Sequence, residues 1–357
     1  MMKFFRKNKY GKVLSIDVGS STIKFLVTEG RYPETLKILD YRLVHIDAKE
    51  KNVSTEELQE IIKHTYQSLD YKPSEARTLM QPQQEVVRVV ELPDVDDDEL
   101  KKAAGYQLNR YVPFSRGEAV YDCNPIAGAA VVNGMRKCVL VAVRRNYVEQ
   151  HCKLFETANV DPVIIDVESI AVMNAYIAAV SAFDKSHEIP DDEQIVALVH
   201  IGASHTGLSV MRGEMPIASR SINIGADNII QQVKEILNIK PVVVIEKLSD
   251  EKFENDDVNH IINDFVNRIC KELRASLMYC KREFDADVKR LYVTGGAAVN
   301  KTIINKINEI IGLQVYPFNP FENIDLSAFG ERKNDFIKNT PAFVPLFALA
   351  VRESLEE

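Results

Sequence analysis

The chain has 357 residues and a formal net charge of −8. This length predicts two lobes in place of one compact core, and the acidic balance argues against a nucleic-acid binder, which normally carries a basic patch. The five cysteines include no C-x-x-C pair, so free thiols in a reducing compartment are expected, and disulfides or a zinc site are not. No apolar run reaches the length of a membrane-spanning helix.

The first predicted element is a strand–turn–strand unit over residues 13–27. An apolar run stops at Asp17, Gly19 permits a sharp reversal of the backbone, and apolar residues resume at Ile23. A turn rich in N–H and O–H donors suits phosphate oxygens, and the carboxylate before it suits a bound cation. An ordinary β-hairpin explains the same residues about equally well. The candidate phosphate-binding residues are Asp17, Gly19, Ser20, Ser21, Thr22 and Lys24.

A first lobe and an inserted module follow along the chain. The first lobe is predicted to consist of residues 1–80 and 159–183. After the opening turn it contains a strand over 36–46, a helix that begins at Ser54, and a strand over 76–80. Ser54 has a capping-box spacing to Glu57. Residues 81–158 read as a β-α-β-β-α module, with strands over 85–92, 127–132 and 135–143. Asn133-Gly134 predicts a hairpin between the last two strands.

The opening pattern returns after a charged connection over 184–194. An apolar strand that begins at Ile195 leads to the polar residue His200, and a glycine and small polar residues then precede a second strand. Asp17 aligns with His200 and Gly19 with Gly202, so the chain contains an internal repeat. The candidate residues of this second turn are Gly202, Ser204, His205 and Thr206.

The remaining elements divide the second half into a core and a helical part. Residues 195–225 and 285–357 are predicted as the second-lobe core, and 226–284 as a helical subdomain that contains a long helix over 258–284. A strand near 291 ends in Gly295-Gly296, where the backbone can approach a flat base and ribose. A closing helix is expected over 341–353. Two donor-rich turns and this glycine pair together predict a nucleotide cleft.

These motifs resemble the actin-like ATPase superfamily, and within it the PilM family of type IV pilus assembly proteins. The resemblance covers nearly the whole chain, and the module is similar to the subdomain that PilM and FtsA carry. It implies an α/β, actin-like (ribonuclease H-like) two-lobed fold with duplicated mixed sheets and an inserted subdomain. The resemblance is carried by the two turns, by residues 294–297 and by three further segments. These are residues 92–93 with the acidic helix that ends at 110–114, residues 166–171, and residues 225–229.

The resemblance also implies ligands and partners. ATP with Mg²⁺ would bind between the lobes, and Asp17 would be the metal-binding residue. Glu272 and Ser276 would contact the ribose; alternatively, these two residues lie on a solvated face of their helix. A groove near the module would hold the N-terminal cytoplasmic tail of a PilN-like inner-membrane protein. Assembly motor ATPases and self-association are further partners, and the location would be cytoplasmic, peripheral to the inner membrane. The further nucleotide residues that it implies are Gly225, Gly295, Gly296 and Ala297.

One position departs from the superfamily pattern. The second phosphate motif normally starts with Asp, and a neutral imidazole at His200 cannot supply that charge to a metal-bound water shell. We therefore expect nucleotide binding with slow or absent hydrolysis, with His200 as a buried structural residue. His205 would either donate to a phosphate or crowd it, and Lys24 would contact phosphate or pair with Asp17. The alternatives to a scaffold are an active ATPase or kinase of the same fold, or an FtsA-like division or secretion-system adaptor.

Overall fold

The computed structural model describes residues 11–46, 53–80, 85–182, 195–249 and 255–355, and the predicted connection over 184–194 lies outside them. The strands of this part of the chain are β1 (Val13–Val18), β2 (Thr22–Glu29), β3 (Lys37–His45), β4 (Glu75–Met80), β5 (Glu85–Pro93), β6 (Ala119–Pro125), β7 (Met135–Arg144), β8 (Asp161–Val167), β9 (Ile195–Ile201), β10 (Thr206–Arg212), β11 (Met215–Ile222), β12 (Arg290–Thr294) and β13 (Gln314–Pro317). Its α-helices are α1 (Thr55–Gln67), α2 (Asp97–Gln107), α3 (Arg145–Lys153), α4 (Glu168–Ala182), α5 (Asp227–Leu237), α6 (Pro241–Ser249), α7 (Asp256–Phe284), α8 (Lys301–Ile311) and α9 (Lys333–Leu355).

Two five-stranded sheets with the same topology form the centre of the molecule. The first has the order β3-β2-β1-β4-β8 and the second β11-β10-β9-β12-β13. In each, the first three strands along the chain are antiparallel neighbours, and the last two join in parallel. β1 and β9 therefore occupy equivalent places, and the prediction of duplicated mixed sheets is confirmed.

The inserted module has a sheet and a core of its own. Its antiparallel strands have the order β5-β7-β6, and α2 and α3 complete the predicted β-α-β-β-α sequence of elements. Leu92, Leu100, Leu108 and Leu140 are buried in its core. The module leaves the first sheet after β4 and returns at β8, and these two strands pair with each other. Both of its ends are therefore anchored at one edge of that sheet.

The predicted strand over 127–132 is wrong. The partner of β7 is β6, which buries Ala119 and Cys123 against the module core, whereas the side chains of Val131 and Val132 remain 50% and 62% exposed. Asn133-Gly134 does form a turn, but only a single bridge from Val132 to Met135 extends it. Residues 119–125 form the strand in place of 127–132, because the small residues at 127–130 have little apolar surface to bury.

The closing helix begins earlier than predicted, at Lys333, and contains two prolines. A proline has no N–H to donate to the carbonyl four residues before it. Pro341 therefore leaves the Ile337 carbonyl without its helical donor, and the Thr340 Oγ donates to that carbonyl at 2.9 Å. Because a side chain replaces the lost bond, the helix runs through the proline.

α9 packs against both central sheets. It shares one buried cluster with α4 and with residues of β2, β3, β9 and β12, in which Phe347 is fully buried. The packing of α9 is therefore shared between the two lobes, whereas the sequence-based division placed the whole of 285–357 in the second. Within the described residues, no helix combines the length and apolar character needed to cross a membrane.

Candidate functional site

A cavity of about 580 Å³ lies between the two central sheets. A larger one, of about 1300 Å³, lies between β5 of the module, β11 and the end of α7. The smaller cavity is the candidate site, because residues of both repeated turns and of the glycine-pair turn line it. The predicted residues that line it are Asp17, Gly19, Ser20, Ser21, Thr22, Lys24, Gly202, Ser204, His205, Gly296 and Ala297.

The two repeated turns are closed by the same hydrogen bond. The Gly19 N–H donates to the Thr22 carbonyl at 2.9 Å, and the Gly202 N–H donates to the His205 carbonyl at 2.9 Å. In each turn a glycine amide thus meets the carbonyl three residues later. The internal repeat seen in the sequence is a repeat of local geometry.

A buried ion pair lies under the first turn. Lys24 and Asp17 are cross-strand partners on β1 and β2, and the Lys24 Nζ lies 2.5 Å from the Asp17 Oδ2. Both residues are 9% exposed and both line the cavity. Of the two interpretations of Lys24, the structure shows pairing with Asp17, at a place from which the ammonium still faces the cavity.

The first turn also contacts the opposite lobe. The Ser21 Oγ donates to the Asp227 Oδ1 at 2.6 Å, and Asp227 is the first residue of α5. The Asp227 N–H in turn donates to the Ala203 carbonyl within the second turn, at 2.8 Å. A hydroxyl predicted for phosphate binding therefore ties the two lobes together.

Two predicted residues of the second turn lie behind the cavity. Thr206 is fully buried, and its Oγ donates to the Ile224 carbonyl at 2.7 Å. A Cβ on Gly225 would lie 2.2 Å from the Ala203 carbonyl oxygen, so this glycine permits α5 to start directly against the turn. Neither residue is part of the cavity lining, and their role is to hold the turn and α5 together.

The two glycines of the third turn have different surroundings. Gly295 has φ +98°, and a Cβ there would lie 2.4 Å from the Ile201 carbonyl oxygen. Gly296 has nothing within 4 Å of such a Cβ and lines the cavity. Gly295 must be glycine because a side chain there would collide with the backbone of β9, whereas Gly296 faces the cavity.

A carbonyl of the closing helix holds this turn in place. Pro345 has no N–H, so the Pro341 carbonyl lacks a helical donor. The Thr294 Oγ and the Gly295 N–H donate to that carbonyl instead, at 2.7 and 2.8 Å. The proline in α9 thus provides the acceptor that fixes the glycine pair.

One end of the cavity is apolar. It is formed by α5, α6, α8 and the short helix after Gly295, and its apolar side chains are Ile229, Ile230, Ile245, Leu248, Val299 and Ile303. Such a lining suits a planar base, with a few polar groups to orient it. The sequence interpretation missed this wall because it assigned no element to α6. The proline at the start of Pro241–Ser249, followed by an apolar run, was the available signal.

A buried carboxylate and two histidines meet at the other end. The His205 Nε2 lies 3.0 Å from the Glu168 Oε1, and the His200 Nε2 lies 3.8 Å from the Glu168 Oε2. Glu168 starts α4, whereas both histidines flank the second turn, so this contact also crosses between the lobes. Glu168 lies within the segment 166–171 that carries the family resemblance, but it was not predicted as a site residue.

The pKa values of Glu168 and His200 are both lowered in this cluster. Burial acts to raise the pKa of Glu168, but the neighbouring His200, His205 and Lys24 outweigh burial and lower this pKa to about 2. Burial lowers the pKa of His200 from 6.5, against the opposing effect of Glu168. An ionised carboxylate can only accept, so the His205 Nε2 is the donor to Glu168. His200 is accordingly a buried neutral imidazole.

The residues at this end do not fit a divalent metal. Mg²⁺ prefers oxygen ligands in near-octahedral geometry, whereas Asp17 is paired with Lys24 and Glu168 accepts from His205. Across the described ranges, no group of three or more His, Cys, Asp or Glu side chains is arranged to hold a metal ion. The prediction of Asp17 as a metal residue is not supported by this arrangement.

The ribose contacts predicted at Glu272 and Ser276 are placed elsewhere. The Arg220 Nη1 donates to the Ser276 Oγ at 2.6 Å, and the Arg220 Nη2 lies 3.0 Å from the Glu272 Oε2. Arg220 and Ser276 line the larger cavity beside the module and are absent from the lining of the interlobe cavity. Glu272 and Ser276 lie on α7 and face Arg220 on β11, so the structure does not bring these two predicted residues to the interlobe cavity.

Comparison with known proteins places the chain in a family. The model of the family described as type IV pilus assembly protein PilM matches residues 15–354. A solved structure described as the PilM-PilN type IV pilus biogenesis complex is similar at a TM-score of 0.80 and 19% identity, covering 96% of this chain and 98% of that chain. The ethanolamine utilization protein EutJ from Carboxydothermus hydrogenoformans is similar at a TM-score of 0.54 and 12% identity, covering 96% and 89%. The chain therefore belongs to the PilM family of type IV pilus assembly proteins and has its actin-like, two-lobed fold.

Proposed function

We propose that this protein is a cytoplasmic, ATP-binding scaffold of the type IV pilus assembly platform, peripheral to the inner membrane, and that it binds the N-terminal cytoplasmic tail of a PilN-like membrane protein. The observation that carries the nucleotide proposal is the interlobe cavity, in which two matched donor turns face an apolar wall. The partner is proposed from family membership and from a similar structure that is described as a complex with PilN.

The cavity offers each part of a nucleotide a suitable surface. The apolar wall of α5, α6 and α8 suits the base, and Gly296 leaves room beside it. The hydroxyls and amides of the first turn, with the Lys24 ammonium, suit the phosphates. The candidate residues that support this proposal by lining the cavity are Gly19, Ser20, Ser21, Thr22, Lys24, Gly202, Ser204, His205, Gly296 and Ala297.

Slow or absent hydrolysis is part of the proposal. Phosphoryl transfer depends on charge stabilisation and on a positioned water. At the equivalent place His200 is buried and its pKa is lowered, so it is neutral at pH 7 and supplies no negative charge. Glu168 is engaged by His205 and is not available as a base. This arrangement favours a bound nucleotide that holds the lobes together and is not hydrolysed rapidly. It does not favour an ATPase or kinase.

The inserted module is the proposed site of partner binding. We infer that the PilN-like tail lies in a groove beside residues 81–158, and that the division into two lobes, this module and the helical part 226–284 describes the functional units. Contacts with assembly motor ATPases and self-association are proposed on family grounds alone.

The test is a titration of the full chain with a synthetic peptide of the PilN-like tail, in the presence and absence of ATP. Saturable binding of the peptide, but not of a scrambled peptide of the same composition, is expected. Hydrogen exchange of the complex is expected to show protection in and beside the module. If the peptide fails to bind in both conditions, the scaffold proposal is wrong. A steady-state ATPase rate comparable to that of sugar kinases would refute slow hydrolysis separately.

A further inference from the structure

Every carboxylate at the phosphate end of the cavity already has a partner within the protein. The Asp17 Oδ2 lies 2.5 Å from the Lys24 Nζ, and the Glu168 Oε1 lies 3.0 Å from the His205 Nε2. These pairs come from different elements: β1 with β2 in the first case, and α4 with the second turn in the other. The four side chains are at most 12% exposed, so solvent screens both pairs only weakly.

The third position of the same end holds an imidazole. His200 is 6% exposed, and its Nε2 is 3.8 Å from the Glu168 Oε2. Its Nδ1 is buried and has no hydrogen-bond partner among the described residues. Carboxylate, carbonyl and water oxygens suit Mg²⁺, and imidazole suits softer transition metals. A buried neutral imidazole here thus takes away an oxygen that would hold a hydrated magnesium ion.

A metal ion between phosphates and carboxylates has two electrostatic effects. It screens the repulsion between the two sets of negative charges, and it neutralises part of the phosphate charge. Lys24 pairs with Asp17, and the His205 Nε2–H donates to Glu168, so each of these carboxylates is engaged by a side chain of the protein. The N–H and O–H donors of the first turn line the same cavity and suit the phosphate oxygens.

We propose that this cleft binds its nucleoside triphosphate without a divalent ion held by the protein, because Lys24 and His205 engage the carboxylates that would otherwise hold the metal. The inference rests on the proposed nucleotide binding and deepens it. It follows from the arrangement of these side chains: the oxygens that would serve as ligands are engaged by protein cations and N–H donors, and His200 replaces one carboxylate.

The test measures ATP binding to the full chain by calorimetry in two buffers, one with excess EDTA and one with MgCl₂. The dissociation constants in the two buffers are expected to agree within about threefold, a difference below 1 kcal/mol. Binding that is more than about tenfold weaker in EDTA would overturn the inference and leave ATP binding intact. Failure to bind ATP in both buffers would overturn nucleotide binding and this inference with it.

Two variants test which residues replace the metal. His200→Asp restores the carboxylate and is expected to make binding metal-dependent, with a ratio between the two buffers of about tenfold or more. His64→Asp, at an exposed position of α1, is the matched control and should leave the ratio unchanged. Lys24→Gln frees Asp17, so it should weaken binding in EDTA more than in Mg²⁺. If the ratio stays at its wild-type value in both folded variants, these residues do not replace the metal.

Discussion

Gly295 is a position at which one added methyl group is expected to destabilise the protein. Its φ of +98° with ψ of 171° belongs to a region that is essentially restricted to glycine. In Gly295→Ala the new Cβ would also lie 2.4 Å from the Ile201 carbonyl oxygen, an atom fixed within β9. Backbone strain of about 1–3 kcal/mol and overpacking of a similar size give an expected loss of about 3 kcal/mol in the free energy of unfolding.

The neighbouring glycine provides the matched control. In Gly296→Ala the added Cβ meets no atom within 4 Å and φ is not positive, so the free energy of unfolding should change by less than about 0.5 kcal/mol. The chain has no Trp, so urea unfolding is best followed by far-UV circular dichroism. Because Gly296 lines the cavity, its variant should fold normally and bind ATP more weakly. Equal urea midpoints for Gly295→Ala and the wild type would refute the backbone argument.

Three further changes test the lobes and the core. Ser21→Ala removes the 2.6 Å bond to Asp227 and should lower the free energy of unfolding by about 1 kcal/mol, whereas Ser20→Ala, at an exposed position, should not. Phe347→Ala empties a fully buried site and should cost about 3–5 kcal/mol in urea unfolding, with a smaller loss for Phe347→Leu. The pKa of Glu168 is about 2 in the folded state against an ordinary value of 4.5, so its contribution is complete above pH 4.5 and is lost as the pH falls towards 2. Glu168→Gln should remove that part of the pH dependence of unfolding, and an unchanged pH profile would contradict the assignment.

The sequence was informative where structure is determined by adjacent residues. The two turns at Gly19 and Gly202 depend on residues within four positions of each other, and both were predicted. The capping box of Ser54 and Glu57 was also predicted from its spacing and forms as expected. Such features carry their own donors and acceptors, so their geometry is written in a short stretch of sequence.

Features that depend on distant partners could not be predicted in this way. The run of α9 past Pro345 depends on Thr294 and Gly295, which donate to the Pro341 carbonyl and lie more than forty positions earlier in the chain. The pairing of Ser276 with Arg220 likewise joins residues that are 56 positions apart. Ser276 was predicted to contact a ribose from its helix position alone, but its hydroxyl is bonded to Arg220 of β11.

The site and the module are connected through the way the lobes meet. Ser21 and Glu168 of the first lobe bond to Asp227 and His205 of the second, so any ligand between the turns acts on the angle between the lobes. The module follows the first lobe, because both of its ends join one edge of the first sheet. Its β5, however, also contacts β11 of the second lobe. A change of the angle between the lobes must therefore alter the junction of β5 with β11, which is the physical route by which nucleotide in the cleft can change the surface that the module presents to a partner.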